Sequence, residues 1–297
     1  MIAVTGITGH SGSFFVQQLV DNGFEDTVRC LVRESSNTDT LDASGLKIEK
    51  VYGSLDSVED MMKLVEGADT VLHLAGIWKT PVILEAVERC GNRPHVICVH
   101  TSAIYSKHKM ASEVYKDIER RVQPYIERGM NVTILRPTMI FGDLKDHNIS
   151  KFIKMVDRFP IMPEIDHGAG RIQPVNARDL GQAYYKAMLH PTLPQRDYFV
   201  SGQRELPLHE LFDLTGEYLG KRTKHLSVPM SVGVAGAKFI NLLSGGKRTL
   251  LIEKVLRLGE DRCFSHEDAA RDFGYEPEEF NVGLKREVEE YIAKKRS

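Results

Sequence analysis

Hydrophobic runs and amphipathic stretches alternate along the first half of the chain, which is typical of alternating strands and helices. Several of the apolar runs are hydrophobic throughout, as in strands that are buried on both faces. They predict six strands, at residues 1–4, 28–32, 48–52, 70–74, 95–99 and 131–135. Helical spacing predicts helices between them, notably at residues 57–66, 81–90 and 111–128. Parallel strands joined by helices form right-handed crossovers, so the pattern predicts an α/β fold with a doubly wound parallel sheet of the Rossmann type.

The alternation ends near residue 142, where a polar loop at residues 143–148 precedes a short amphipathic helix. Beyond residue 200 the pattern is mostly helical. We therefore predict a Rossmann domain made of residues 1–142 and 172–200, and a smaller, mostly helical C-terminal substrate lobe made of residues 143–171 and 201–297. Residues 228–243 are apolar, and we expect a helix that packs within this lobe rather than one that touches a membrane.

Composition narrows the classes of function. The 297 residues are 42% hydrophobic and 27% charged, which excludes disorder as the main state. The formal net charge of −2 argues against a general nucleic-acid binder, which needs a basic surface to neutralise phosphates. No apolar stretch approaches the ~20 residues of a membrane-spanning helix. Residues 1–4 already form a predicted strand, so we expect no signal peptide and a cytoplasmic protein.

Four cysteines are scattered along the chain, at Cys30, Cys90, Cys98 and Cys263. They form no C-x-x-C pair, which argues against a disulfide framework. His95 and His100 lie near Cys90 and Cys98, but Cys98 belongs to a predicted buried strand. We therefore expect no metal site.

Three glycines follow the first predicted strand and open the first helix. Gly6, Gly9 and Gly12 have the spacing G-x-x-G-x-x-G. Glycine here allows a tight turn, close approach of the backbone to a pyrophosphate and tight packing of the helix on the strand. Amides at the start of the helix then face the phosphates. We predict a dinucleotide site, with a plain glycine turn as the alternative. Its residues are Gly6, Thr8, Gly9, His10, Ser11 and Gly12.

An arginine follows the second strand, where dinucleotide-binding folds contact the adenosine ribose. NAD enzymes have an acidic residue there, whereas NADP enzymes use arginine for the 2′-phosphate. Arg33 occupies that position, and the Ser35 hydroxyl can donate a further hydrogen bond to a phosphate. We therefore predict NADP as the cofactor, with NAD as the alternative, in which case Arg33 would pair with Glu34 at the surface.

Five segments, in this order, resemble motifs of the extended or atypical short-chain dehydrogenase/reductase superfamily, and more narrowly of its NAD(P)-dependent sugar-nucleotide epimerase/dehydratase family. They are residues 5–12, 71–76, 135–142, 173–180 and 264–277. The resemblance implies a two-lobed fold and a nicotinamide coenzyme. Ser54 replaces the acidic residue that the family usually has at its adenine-binding turn. The further coenzyme contacts implied by the resemblance are Ser54, Leu55, Leu74, Ala75, Gly76, Pro137 and Thr138.

The resemblance also implies where catalytic groups belong. The superfamily uses a tyrosine as acid/base, a lysine four residues later, and a Ser or Thr after the fifth strand. Thr101 and Ser102 match the hydroxyl position, but the tyrosine position falls on Ala111 or Ser112. A phenol needs an adjacent cation to exchange protons near neutral pH. The nearby candidates are the tyrosines Tyr105 and Tyr115 and the cations Lys107, Lys109 and Lys116.

Family members that handle nucleotide sugars bind the diphosphate with arginine and asparagine, and Asn148, Arg171 and Arg262 resemble those positions. We predict hydride transfer on a nucleotide sugar, by an epimerase, a dehydratase or a reductase. Two alternatives stay open. One is a non-catalytic NADP-binding sensor or scaffold, which suits the missing helix tyrosine, and the other is a reductase of a small carbonyl compound. The Rossmann helices offer a surface for a homodimer, whereas no nucleic-acid or membrane partner is expected.

Overall fold

A seven-stranded parallel sheet forms the centre of the computed structural model, which describes residues 1–247 and 250–296, apart from the side chains of residues 109–111 and 250. The strands are β1 (Ile2–Thr5), β2 (Val28–Val32), β3 (Ile48–Tyr52), β4 (Thr70–His73), β5 (His95–Val99), β6 (Val132–Pro137), β7 (Ile140–Phe141), β8 (Ile161–Ile165), β9 (Arg171–Ile172), β10 (Val175–Asn176), β11 (Asp197–Val200), β12 (Leu206–Pro207) and β13 (Lys224–Val228). The central sheet has the order β11-β6-β5-β4-β1-β2-β3. Its direction of winding reverses between β1 and β4, where folds of this kind bind ligands. The predicted Rossmann-type fold is confirmed.

Helices cover both faces of this sheet, and further helices lie in the C-terminal part of the chain. They are α1 (His10–Asp21), α2 (Asp39–Asp42), α3 (Val58–Val65), α4 (Thr80–Cys90), α5 (Lys109–Glu127), α6 (Ile149–Arg158), α7 (Ala177–Met188), α8 (Leu208–Tyr218), α9 (Met230–Leu243), α10 (Leu250–Leu256), α11 (Glu267–Phe273) and α12 (Phe280–Arg296). Short 3-10 turns lie at Ile77–Lys79, Ser102–Tyr105, Asp166–Gly168 and Arg257–Gly259. Sequence signals set several boundaries. The Ser57 hydroxyl, for example, accepts a hydrogen bond from the Asp60 amide at 3.1 Å and so caps α3.

Two hydrophobic layers hold the sheet between the helices. Every residue of β1, β4, β5 and β6 is buried, as expected for strands that are covered on both sides. On one side α1 and α7 contribute Phe15 and Tyr184 to the core. On the other side α3, α4 and α5 contribute Met61, Leu84 and Val122. The loops that follow the strands therefore gather at the carboxyl edge of the sheet, beyond both layers.

The C-terminal part of the chain has a further hydrophobic cluster of its own. Ile153 on α6, Met162 on β8, Phe212 on α8 and Leu284 on α12 belong to it. Strands β8 and β13 pair in parallel beside it. The assignment of residues 143–171 and 201–297 to a separate substrate lobe stays a prediction.

Residues 228–243 contain the expected helix, α9, but it packs along one side only. Among its described residues Ala237 is the buried one. The other side exposes Val232, Phe239 and Leu243. The helix therefore packs on β8 and α10 by one side, as expected, whereas its other side is exposed. Among the described residues, no helix is both long enough and apolar enough to cross a bilayer.

Candidate functional site

The loop between β1 and α1 forms a cradle in which side chains have no room. Gly6 has a φ of +75°, in the left-handed region that favours glycine, and a Cβ there would lie 2.7 Å from the amide nitrogen of Ala75. A Cβ on Gly12 would collide with the carbonyl oxygen of Gly6. Gly9 closes the turn by donating its amide to that carbonyl at 2.9 Å. Amides of the first helical turn lack helical partners, so the glycines leave space beside them for a pyrophosphate.

A buried histidine ties this cradle to the loop after β4. Nδ1 of His73 lies 2.8 Å from the Thr5 hydroxyl, and Nε2 lies 3.0 Å from the carbonyl oxygen of Gly76. Burial lowers the pKa of His73 to about 4, so the ring is neutral at neutral pH. The ring can then donate to Gly76 and accept from Thr5. With the amide of Leu74 donating to the Thr5 carbonyl at 3.1 Å, this holds the predicted coenzyme residues Leu74, Ala75 and Gly76 beside the cradle.

The residues predicted for the adenosine end follow the neighbouring strands. Arg33 and Ser35 come after β2 and are exposed, and Ser54 and Leu55 come after β3. Because β1, β2 and β3 are parallel neighbours, these residues share the sheet edge with the glycine loop. The Asp60 carboxylate accepts a hydrogen bond from the Ser54 amide at 3.0 Å and so fixes the turn after β3.

The polar loop after β7 reaches the start of α1. Nε2 of His10 lies 3.0 Å from Oδ1 of Asp143. Burial lowers the pKa of His10 although the Asp143 carboxylate opposes this effect. Thr8 and Lys145 line one small cavity of about 260 Å³. Ser11 accepts a hydrogen bond at 3.3 Å from a tyrosine hydroxyl of α7. The loop at residues 143–148 therefore lies against the predicted phosphate site.

A cleft of about 300 Å³ opens beside the ends of β5 and β6. Its polar lining consists of Thr101, Ser102, Thr138, Asn148, Arg257 and Arg262. Thr138 follows Pro137, the last residue of β6, and its hydroxyl donates to the Gln173 carbonyl. Five residues that the sequence singles out thus share one cavity, although they are as far apart in the chain as residues 101 and 262.

Two arginines make part of this cleft positive. The Nε atom of Arg262 is buried and has no hydrogen-bond partner among the described residues. Nε of Arg257 lies 4.0 Å from Oε2 of Glu260. Burial lowers the pKa of Arg262, and the charge of Arg257 lowers it further. Because a buried guanidinium nitrogen without a hydrogen-bond partner is costly, the arrangement favours an anion such as a phosphate.

The candidate tyrosines lie outside the cleft lining. The ring of Tyr105 packs against Phe199 and Phe264, with centroid separations of 5.5 and 5.8 Å. Burial raises the pKa of Tyr105, which opposes proton exchange at neutral pH. The ring of Tyr115 packs on Trp78 at 5.3 Å. Both tyrosine rings therefore have packing roles that do not require a catalytic one.

Neither Lys107 nor Lys116 is among the residues that line the described cleft. Lys116 is 43% exposed and pairs with a glutamate one turn earlier in α5 at 3.1 Å. Lys107 donates its backbone amide to Glu260 at 2.6 Å. The side chain of Lys109 lies outside the described residues. Ser112, near the helix position where the family has tyrosine, is buried, and its hydroxyl donates to a backbone carbonyl of the preceding turn at 3.3 Å. The described cleft lining thus contains hydroxyls but no phenol–lysine pair.

A buried network that sequence reasoning missed supports the hydroxyl residues. His100 precedes Thr101, and its Nδ1 lies 2.9 Å from Glu119 while its Nε2 lies 3.1 Å from the Thr80 hydroxyl. Arg136 on β6 donates to Glu119 at 3.0 Å. Burial opposes the charge of Glu119, yet the hydrogen bonds from His100 and Arg136 hold its pKa below the ordinary value. The network fixes the backbone from which Thr101 projects.

Arg171 lies elsewhere. Its guanidinium is 48% exposed and pairs with Glu205 at 2.6 Å, outside the cleft lining. Arg257, which sequence reasoning missed, lines the cleft instead. The available signal was its position five residues before Arg262. Glu260, also missed, lies between these two arginines in the chain.

Comparison with known proteins places the chain among coenzyme-binding proteins. Residues 6–158 match the family model described as NAD(P)H-binding. The chain is 23% identical over 245 residues to the mitochondrial NADH dehydrogenase (ubiquinone) 1 alpha subcomplex subunit 9 of Dictyostelium discoideum. That alignment covers 77% of this chain and 66% of the relative, so the chain spans just under two thirds of that relative's length.

Solved structures share the fold over almost the whole chain. A nucleoside-diphosphate-sugar epimerase from Pseudomonas aeruginosa has a TM-score of 0.74 at 15% identity, covering 99% of this chain and 97% of that one. DesIV from Streptomyces venezuelae, a dTDP-glucose 4,6-dehydratase solved with NAD bound, has a TM-score of 0.73 at 18% identity, covering 99% and 98%. The Rossmann-type fold that the motifs predict is shared with these proteins.

Proposed function

The chain belongs to the NAD(P)H-binding family and has the fold of the extended short-chain dehydrogenase/reductases, and on that premise we propose that it transfers hydride between NADP(H) and a nucleotide sugar. One observation carries the proposal. A single cleft brings the hydroxyls of Thr101 and Ser102 together with Arg257 and Arg262, on the carboxyl edge of the sheet that also holds the glycine loop. Epimerases, dehydratases and reductases of this fold share the hydride-transfer step.

Residues of the sheet edge would hold the coenzyme, which supplies the hydride chemistry when bound. The cradle at Gly6 and Gly12 excludes side chains and fits a pyrophosphate against the start of α1. Arg33 and Ser35 would contact the 2′-phosphate of NADP, since a guanidinium pairs with phosphate and no acidic residue occupies that position. This assignment of NADP over NAD is part of the proposal.

The arginines of the cleft favour a diphosphate as its ligand. A guanidinium presents a planar fork that binds phosphate oxygens in pairs, and Arg257 and Arg262 together offer two such forks. The residues that line the described cleft include no Asp or Glu. Asn148 adds an amide, which donates to the Ile140 carbonyl at 2.8 Å. A sugar diphosphate would place its negative charge at the arginines and its sugar toward Thr101.

Thr101 has the geometry of a donor to a substrate oxygen. Its hydroxyl oxygen accepts the amide of Ala103 at 3.1 Å, which leaves its proton free for another acceptor. Ser102, the next residue, lines the same cleft. We propose that these two hydroxyls orient the sugar.

A non-catalytic coenzyme-binding role is the second candidate function. The positions of Tyr105 and Tyr115 outside the cleft favour it, as does Ser112 at the place of the helix tyrosine. Such a protein would bind NADPH in the same cradle but would not exchange hydride with a sugar.

Turnover of nucleotide sugars tests the proposal. Purified protein would be incubated with NADP(H) and a panel of uridine and thymidine diphosphate sugars, and products followed by chromatography and nicotinamide absorbance. We expect conversion by the wild type. Arg262→Gln should lower kcat/KM by at least about tenfold, mainly through KM, because it removes one fork from the diphosphate. Coenzyme affinity should be unchanged.

The matched control is Arg171→Gln, which alters an arginine outside the cleft and should keep wild-type kinetics. Coenzyme binding without turnover of any sugar in the panel would favour the non-catalytic role. If the protein turns over a small carbonyl compound, and Arg262→Gln does not change that rate, the result would favour a reductase without a nucleotide substrate.

A further inference from the structure

One side of α9 anchors the helix to the rest of the chain. Gly233 faces β8 and α10 so closely that a Cβ there would lie 2.6 Å from Cδ1 of Ile165 and 3.1 Å from Cγ1 of Val255. Ala237, one turn further, is 3% exposed. This stripe of small residues sets which side of the helix faces inward, and therefore which side faces outward.

The outward side of α9 is apolar along its whole length. Val232, Phe239 and Leu243 lie above one another at helical spacing and are 58%, 60% and 71% exposed. Leu242 and Ile240 flank them and are 75% and 42% exposed. An exposed patch of large apolar side chains on one helix marks an interaction surface, whereas single exposed residues need no explanation.

The segment that contains α9 is rich in cations, although the Asp166 carboxylate accepts a hydrogen bond from the Met230 amide at the start of the helix at 3.0 Å. From residue 218 to residue 252 the sequence contains no Asp or Glu but six Lys or Arg residues, in a chain whose net charge is −2. Lys238 on α9, Lys247 just beyond its end and Lys224 on β13 are exposed. Lys221 is engaged elsewhere, since it pairs with Asp157 at 2.6 Å.

Exposed apolar side chains next to cations favour an anionic lipid surface as the partner of this side of α9. Cations beside an exposed apolar helix side complement anionic lipid headgroups, while the apolar side chains enter the boundary with the acyl chains. A second copy of the chain, packed by the same face, would bring these cations together and repel. The fourteen residues of α9 are too few to cross a bilayer, which needs ~20, but suffice for a helix that lies on its surface.

We propose that α9 docks the protein on anionic lipid bilayers, with Val232, Phe239 and Leu243 inserted at the headgroup level. From α9 the chain runs through α10 to the turn Arg257–Gly259, whose first residue lines the cleft. The proposal does not depend on the reaction that the cleft performs.

Vesicle sedimentation of the full chain tests this docking. The protein would be mixed with vesicles of phosphatidylcholine alone or of phosphatidylcholine with phosphatidylglycerol. We expect sedimentation with the anionic vesicles only, weakened by added salt. The double change Phe239→Ser with Leu243→Ser should reduce the bound fraction by at least about tenfold, and Lys238→Glu should also weaken binding. The control, Leu189→Ser with Val282→Ser, alters two exposed apolar residues elsewhere and should bind as the wild type does.

Thermal unfolding of each variant verifies that it is folded, and light scattering gives its oligomeric state. Equal binding to neutral and anionic vesicles would overturn the charge argument. A monomer that binds neither vesicle would overturn the proposal. It would also be overturned by a dimer that ignores vesicles and dissociates with Phe239→Ser and Leu243→Ser, because a second copy would then cover this face.

Discussion

The arginines of this protein differ in how far their charge is already balanced. Arg136 is buried and paired with Glu119, and Arg171 is paired with Glu205 at the surface. Arg33 has no ion pair among the described residues, and Nε of Arg262 has no hydrogen-bond partner there. A guanidinium bound to a carboxylate has fewer donors left for a ligand, so we propose Arg33 and Arg262 as the main recognition groups, while Arg257 lies beside Glu260.

Arg33 tests the choice of coenzyme. Arg33→Ala should weaken NADPH binding by about tenfold or more, because a charge-assisted contact to the 2′-phosphate is lost, and should leave NADH affinity within about twofold. Isothermal titration with both coenzymes measures this. Arg89→Ala, which alters a surface arginine paired with a glutamate of the same helix, is the matched control. Equal losses for NADPH and NADH would contradict the role of Arg33.

Residues whose role depends on the local backbone could be predicted from the sequence. Residues whose role depends on contacts with distant parts of the chain could not. Gly12 meets the carbonyl oxygens of Gly6 and Ile7 in the same loop and Gly6 has a positive φ, so a short motif locates both, although the atom that crowds Gly6 most closely belongs to Ala75. Glu119 matters because His100 and Arg136 converge on it from two other elements. No spacing within the sequence indicates such a convergence.

Among the helices, α6 and α12 share a buried pair of carboxyl groups. Asp146 accepts the Ser150 amide at 3.1 Å and so caps α6. Glu287 on α12 is fully buried and accepts the Gly142 amide at 2.9 Å. Burial raises the pKa of Glu287 to about 10, and its hydrogen bond with Asp146 adds to the rise. Glu287 therefore holds a proton at neutral pH.

This pair predicts a pH dependence of stability. The pKa of Glu287 is higher in the folded than in the unfolded chain, so the folded chain keeps a proton that the unfolded chain has lost. Its contribution is complete below the unfolded pKa and disappears as pH rises toward 10. Relative to wild type, Glu287→Gln should gain on the order of 1 kcal/mol of unfolding free energy per pH unit between about pH 6 and 9.

Urea unfolding at a series of pH values measures this difference. Glu279→Gln, which alters an exposed glutamate just before α12, is the control and should follow the wild type at every pH. Parallel curves for Glu287→Gln and the wild type would show that Glu287 is ionised in the folded chain.

The strands of the Rossmann half could be predicted because a buried strand is recognisable from a short, continuous apolar run of sequence, such as residues 95–99. The exposure of one side of α9 could not be predicted from the sequence. A helix that is apolar all round is typical of a buried helix, and only the structure shows that its packing partners, such as Ile165, cover one side.

On the scale of the whole molecule, one glutamate joins the loop after β5 to the segment that carries the cleft arginines. Glu260 accepts the Ser106 hydroxyl at 2.8 Å and the Lys107 amide at 2.6 Å. It lies in the chain between Arg257 and Arg262, while the loop it contacts follows the hydroxyls of Thr101 and Ser102. The contact therefore sets the width of the cleft.

Removing this contact should loosen the cleft without unfolding the chain. In Glu260→Ala the Lys107 amide loses its acceptor, so its hydrogen exchange should accelerate by at least about tenfold, while amides of β5 keep their protection. Hydrogen exchange followed by mass spectrometry measures both. Glu267→Ala, at an exposed glutamate of α11, is the matched control. Unchanged exchange at Lys107 would show that Glu260 does not hold this loop.

The order of five motifs was enough to predict the Rossmann-type fold, because each motif is local and proteins of this fold have the motifs in the same order. The composition of the cleft was only partly predictable. Thr101 and Arg262 belong to motifs, but Arg257 enters the cleft through the turn after α10, and Arg171 leaves it for Glu205.

Coenzyme titration tests most directly the claim that amides at the start of α1 bind the phosphates of a nicotinamide dinucleotide. The wild type, Gly9→Val and Gly236→Ala would each be titrated with NADPH and NADH by calorimetry. We predict that the wild type binds, that Gly9→Val loses at least about tenfold in affinity because its side chain occupies the phosphate space, and that Gly236→Ala, whose Cβ meets open space, binds normally. A wild type that binds neither coenzyme, or a Gly9→Val variant with undiminished affinity, would contradict the account.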